Sequence, residues 1–242
     1  MNDAMSGVKA LFFDLDGTLT DINQREVEVI YDTVTHFGLK ATKAKVKELC
    51  FQTPSYMDVF KELDLELTED AVKYWTSAFV NAYRHTVVRR GVESTLKALN
   101  GKYVLACVTS RETSREVIQE LSFLHLSEFF NRIITRDVAA KHFGLSSLPF
   151  FPFHEQRRKL CECALAMTGC SPKESIAIGD MGRELKPARE LGLTTIGLIT
   201  NKARLGELRE NSDFIISSMN QLLKVLTQLN KGRVNTAFEN TV

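Results

Sequence analysis

Residues 9–20 read KALFFDLDGTLT, a short apolar run that ends in two aspartates one residue apart and then Gly-Thr. The run Ala10, Leu11, Phe12 and Phe13 suits a buried parallel strand that stops at a polar turn. Alternation along a strand points Asp14 and Asp16 the same way, and Gly17 lets the chain turn sharply behind them. Open α/β sheets bind ligands at the carboxyl ends of their strands, where these two carboxylates would sit. Close like charges repel unless a cation or a shared proton relieves them. The pair therefore implies a metal, acid–base work, or both.

Two further strand ends carry chemistry. Residues 103–110, YVLACVTS, form an apolar strand ending in hydroxyl residues, ahead of a helical stretch at 112–122. SIAIGD at 175–180 is an apolar strand ending in Gly-Asp; MGRELKPARELG follows it, and then the strand TTIGLIT at 194–200. Another strand is read at NRIITRDV, 131–138, and DFIISSMNQLLKVLTQL at 213–229 reads as a last strand and a closing helix.

Residues 22–88 are helical in pattern. Val27, Ile30, Tyr31 and Val34 make one apolar face, and Ala71, Trp75, Ala78, Phe79 and Ala82 make another. Gly38 closes the first helix and Pro54 separates two others. Trp75, Phe79 and Tyr83 read as the core of this bundle rather than as substrate contacts. Arg84, His85, Arg89 and Arg90 cluster where the chain returns to the α/β pattern and read as surface charge. Residues 230–242 lack periodicity and read as a flexible tail.

Composition narrows the class. The chain has 242 residues, is 44% hydrophobic and 25% charged, and carries a net charge of +1. These are globular values, and without a Lys/Arg block neither nucleic acid nor an anionic membrane is implied. There is no apolar run of about 18 residues, and MNDAMSGVK lacks the apolar core of a signal peptide, so a cytoplasmic location is expected. Five cysteines read as reduced, packed thiols. Cys161, Cys163 and Cys170 lie near His154, but Cys161 and Cys163 are two apart on a helix and point away from each other, which argues against structural zinc.

The DLDGT strand end, with the Thr-Ser and Gly-Asp strand ends downstream, resembles the motifs of the haloacid dehalogenase (HAD) superfamily. The resemblance runs from about 8 to 228 and favours its phosphoglycolate phosphatase-like subgroup. It implies an α/β fold, a doubly wound parallel sheet with a HAD-like Rossmannoid core over 1–21 and 89–229. An α-helical cap of the C1 type would occupy 22–88. By resemblance Asp14 is the nucleophile and Asp16 the general acid/base; a carboxylate is nucleophilic without being deprotonated by a partner. Dehalogenases of the superfamily generally lack an acid at the second position, so Asp16 points to phosphoryl transfer. Thr109, with Ser110 beside it, would bind a phosphoryl oxygen. Asp180 would complete a Mg²⁺ site with an Asp14 oxygen and the Asp16 backbone carbonyl. Glu184 stands where the family usually has Asp, and its longer side chain would bond a metal-bound water.

One motif departs from the pattern. The family places a lysine, usually Lys-Pro, after the third core strand, where it neutralises the nucleophile and the transferring group. Counting forward from Asp137 gives Lys141, followed by His142 instead of proline. Counting backward from Gly179-Asp180 lands near Glu155, in HEQRRK. The two counts disagree because 143–153, FGLSSLPFFPF, reads as an inserted loop. Lys141 is the expected cation, with Lys159 and Arg157 as the alternatives. The resemblance as a whole implies Mg²⁺-dependent hydrolysis of a small phosphorylated metabolite through an aspartyl-phosphate. Two other readings remain: a β-phosphoglucomutase-like phosphomutase, and a non-catalytic binding or regulatory protein on the same core.

Overall fold

The structure, a computed structural model, describes residues 7–53, 55–150 and 152–230. Pro54, with the helix break expected there, and 231–242, with nearly all of the expected tail, lie outside the described residues. Strand β1 (Ala10–Phe13) leads into a short strand β2 (Thr20–Asp21) and four helices, α1 (Asn23–His36), α2 (Lys43–Gln52), α3 (Tyr56–Glu62) and α4 (Glu69–Asn81). The chain returns through β3 (Val87–Val88), which pairs antiparallel with β2 as a two-stranded ribbon. Then follow α5 (Val92–Leu99), β4 (Val104–Val108), α6 (Ser114–Phe123), β5 (Arg132–Ile134), α7 (Arg136–His142) and α8 (Phe153–Thr168). The last part comprises β6 (Ser175–Gly179), α9 (Gly182–Glu190), β7 (Thr194–Leu198), α10 (Leu205–Asn211), β8 (Phe214–Ile216) and α11 (Leu222–Asn230).

Six strands form one parallel sheet in the order β5-β4-β1-β6-β7-β8. The chain builds outward from β1 to one edge and then, from β6, to the other. That reversal is the switch point at which doubly wound sheets open a crevice. Strand alternation sorts β1 between the two faces: Leu11 and Phe13 pack with Leu96, Leu121 and Leu226, while Ala10 and Phe12 pack with Leu160, Ala164 and Ala188. Helices therefore cover both faces. Residues of α1–α4 bury a separate cluster that includes Ile30, Val34, Phe60 and Trp75. Thr42, Ser55 and Thr68 cap α2, α3 and α4, their hydroxyls accepting from the backbone N–H three residues on. No helix among the described residues is long and apolar enough to cross a membrane.

The strand expected to run to residue 138 stops at Ile134, and α7 starts at Arg136. Its partner β4 ends opposite, with Val108 paired to Ile134, so nothing remains for the next residues to pair with. Asp137 instead faces α6, where its carboxylate accepts from the Ser114 N–H at 3.0 Å.

Helix α1 is tied to the sheet layer by a buried charge. Arg25 is fully buried and donates to Glu120 on α6 at 2.7 Å and to the Thr86 hydroxyl at 3.0 Å. Its guanidinium also reaches the Phe79 carbonyl and lies 4.0 Å from the centre of that ring. Removing one partner of such a pair strands the other in low dielectric, a loss of about 3–5 kcal/mol. Arg25→Ala should lower the unfolding free energy by that order in urea titrations, while Arg25→Ala/Glu120→Ala recovers part of it. A single variant as stable as wild type would remove the tie.

Glu26, on the next position of α1, lies half-buried, and burial pushes its carboxyl up to about 7 against the opposing pull of Arg204. The folded chain therefore binds a proton that the unfolded chain has already released, so Glu26 makes stability fall as pH rises from about 4.5 to about 7. In EDTA, Glu26→Gln should gain on wild type across that window and hold a constant lead above it. Parallel stability profiles would show that Glu26 is not so perturbed.

Candidate active site

The carboxyl ends of β1, β4 and β6 converge because their registers align Phe13 with Cys107 and with Ile178. The next residues, Asp14, Val108–Thr109 and Gly179–Asp180, thus meet at one edge. Asp14 is buried, its N–H donating to the Ile178 carbonyl at 2.9 Å. The turn behind it uses Gly17 at φ +87°, where a Cβ would come within 2.6 Å of the Asp180 carboxylate. Only glycine meets both constraints.

One carboxylate oxygen from each of Asp14, Asp180 and Glu184 lies within 4.8 Å of the others. All three residues are buried, and Asp14 Oδ2 and Glu184 Oε2 have no hydrogen-bond partner among the described residues. Burial, and then the neighbouring negative charges, push Asp14 well above the usual carboxylate range; burial raises Glu184 likewise. Asp180 accepts from Thr200 Oγ1 at 2.8 Å, from Thr18 Oγ1 at 3.5 Å, and from Arg204. Hard oxygens, close-set, buried and partly unpartnered, fit a small divalent cation.

Three arginines frame the cluster. Arg157, from the first turns of α8, is buried and donates from Nη1 to Asp14 Oδ1 at 3.2 Å and to Ser110 Oγ at 3.4 Å. Ser110 in turn donates to Gln156 Oε1 at 2.8 Å, and Thr109 is buried beside it with its N–H on the Ile134 carbonyl. Arg111 grips Asp16 with two bonds, Nε to Oδ2 at 2.6 Å and Nη2 to Oδ1 at 2.7 Å. Burial pulls Asp16 upward, but the charge and bonds of Arg111 outweigh it and hold the carboxyl below its usual range. Arg111 also reaches Glu120 at 3.3 Å, which joins Asp16 to Arg25 through one buried chain of charges.

Lys141 requires a correction. It is exposed near the end of α7, away from the carboxylates, because β5 is short and Asp137, the position used for counting, already lies in the first turn of the helix. Lys159 is turned outward too, 3.9 Å from Glu155 and 5.0 Å from the centre of the Phe143 ring. The cation against Asp14 is Arg157. Arg111 follows Thr109-Ser110 directly and could have been noticed from that neighbourhood; Arg204, in the segment after β7, carried no motif. The cysteines are all free and spread over both layers and α2, with no zinc-like grouping among the described residues.

A cavity of about 440 Å³ opens onto these groups and runs under α3 and α4, touching Asp14, Asp16, Thr109, Arg111 and Glu184. Trp75 and Phe79 line it while also packing within the helical layer, so they are not purely core.

Comparison with known proteins finds relatives along nearly the whole chain. Pyrophosphatase PpaX of Bacillus pumilus is 23% identical over 225 residues, which cover 91% of this chain and 97% of that protein. Glyceraldehyde 3-phosphate phosphatase of Pyrococcus furiosus is 26% identical over 251 residues, covering 93% and 96%. Among solved structures, the haloacid dehalogenase-like protein SP0104 of Streptococcus pneumoniae superposes with a TM-score of 0.71 at 23% identity, over 90% of this chain and 98% of that one. A predicted phosphoglycolate phosphatase from Haemophilus somnus 129pt superposes with a TM-score of 0.64 at 20% identity, over 92% and 99%. The profile of the haloacid dehalogenase-like hydrolases matches residues 11–198, most of the chain and the strand ends of β1, β4 and β6 that meet at the site. The chain belongs to the haloacid dehalogenase-like hydrolase family, and it is an enzyme.

Proposed function

We propose that this enzyme is a Mg²⁺-dependent phosphatase that hydrolyses a small phosphate monoester through an aspartyl-phosphate on Asp14, with 22–88 serving as a cap. The observation that carries this reading is the buried Asp14–Asp180–Glu184 cluster with Arg157 set against Asp14. Asp14 would attack phosphorus, forming an O–P bond as the alcohol oxygen leaves. Asp16 would give that oxygen a proton, then take one from the water that attacks the aspartyl-phosphate, releasing phosphate and restoring Asp14 as a carboxylate and Asp16 as its acid. Arg157, Thr109 and Ser110 supply positive charge and hydrogen bonds to the phosphoryl oxygens. Mg²⁺, held by Asp14, Asp180, the Asp16 carbonyl and Glu184 directly or through water, would neutralise charge on the transferring group.

The Arg111 clamp bears on the order of events. Ion-paired Asp16 favours its charged form, whereas the first half-reaction needs it protonated. An arriving phosphate dianion offers Arg111 another anion, so substrate binding and the release of Asp16 would be one event.

Asp14→Asn keeps the shape but removes the attacking charge. Turnover on a phosphate-monoester panel should drop by several powers of ten with the thermal melt unchanged. More than about a tenth of wild-type rate, once deamidation is excluded by mass, would sink the aspartyl-phosphate. EDTA should abolish activity and Mg²⁺ or Mn²⁺ should restore it; Asp180→Ala should raise the Mg²⁺ needed for half-activity. Full rate in chelator contradicts the metal. Arg157→Ala should cost on the order of 10²-fold in turnover, and Lys141→Ala almost nothing. The reverse result would return the role to Lys141.

A further inference from the structure

The segment between α7 and α8, which the family pattern does not account for, forms a wall of the cavity. Phe150 and Phe153 both line it, with ring centres 5.7 Å apart. From the other side α3 and α4 contribute Tyr56, Trp75 and Phe79, and Phe150 stands edge-on to Trp75 at 6.4 Å. Tyr56 lies 4.5 Å from Trp75. Except for Trp75 these rings are only half-buried, so their remaining faces turn to the cavity rather than into a core.

Leu148 and Arg136 anchor the start of this wall. Leu148 is buried in the sheet-side core, and its carbonyl accepts from Arg136 Nη1 at 3.2 Å. Arg136 is itself anchored by Nε to the Ser110 carbonyl at 3.1 Å, and its guanidinium lies 5.7 Å from the Phe150 ring centre. Arg183 stands 5.5 Å from the Tyr56 ring and 5.3 Å from that of Phe153. Phe150 is thus held by the strand end that carries Ser110. A phosphoryl group seated at Asp14 would leave most of about 440 Å³ to the rest of the substrate. Half-buried rings set at angles to one another favour a flat, unsaturated body between them.

We propose that the alcohol portion of the substrate carries a flat aromatic or heteroaromatic ring, gripped by the half-buried rings of Phe150 and Phe153. This rests on the phosphatase reading above. Benzyl phosphate and ethyl phosphate differ little as leaving groups, and cyclohexylmethyl phosphate, of the same apolar bulk as benzyl but without the flat ring, should fall well below benzyl phosphate. Wild-type kcat/KM for benzyl phosphate should exceed that for ethyl phosphate by about tenfold or more, mostly through KM. Phe150→Ala should reduce that ratio severalfold, and Phe150→Leu, which keeps bulk without the ring, should reduce it as well if the alanine variant fails to fold. Equal use of benzyl phosphate and either other ester, a preference for ethyl phosphate or inorganic pyrophosphate, or a ratio unchanged in the variants overturns the aromatic assignment alone. No phosphate released from any of these or from acetyl phosphate overturns the phosphatase reading and this assignment with it.

Discussion

Three carboxylates held within 4.8 Å in a buried pocket are the constraint around which the rest of the molecule is arranged. At an effective dielectric of about 20, each like-charge pair at that separation costs about 3.5 kcal/mol. The chain meets this with cations from distant places: Arg157 from α8 on Asp14, Arg204 from the segment after β7 on Asp180, and Arg111 on Asp16 one strand over. Proton retention by Asp14 and Glu184 is the other relief, and both are shifted that way. The sheet topology makes this possible, because only at its switch point do β1, β4 and β6 end side by side.

What the amino-acid sequence disclosed follows from which forces are local. Apolar runs that end abruptly in Asp, as in ALFFD and SIAIGD, report a buried strand and its exit in a few residues, so Asp14, Asp16 and Asp180 were legible together with the α/β class. Thr109 and Ser110 were legible by the same token. The cation was not. Its place depends on how far β5 runs, and that is set by the end of its partner β4 at Val108, which nothing near Asp137 records. Counting from Asp137, on a strand taken to run to 138, gave Lys141; β5 ends at Ile134, and Arg157 arrives from a helix on the far side of the 143–153 segment. Arg25 and Glu120, 95 residues apart, form a pair that only the folded chain defines.

The inserted segment displaced the family's usual spacing and also shaped the pocket. Its Leu148 is a core residue and its Phe150 a cavity residue, so one short stretch both anchors and presents. Phe150, part of a loop when read alone, has its explanation in Trp75 on α4, more than 60 residues earlier. Specificity in such an arrangement does not belong to the helical layer by itself. It is shared between that layer and the sheet side.

The buried contact of Arg25 with Glu120 also limits how the enzyme can breathe. The ribbon of β2 and β3 is the only covalent route between the helical layer and the sheet, which by itself would permit a wide swing. Moving α1 off α6, however, would separate two charges that have no access to water. The separated charges would need water around them, so any opening that moves α1 also hydrates this pair. Side-chain motion in the wall of Trp75, Phe79 and Phe150 asks for no such hydration, so the cavity can change shape while Arg25 and Glu120 stay dry.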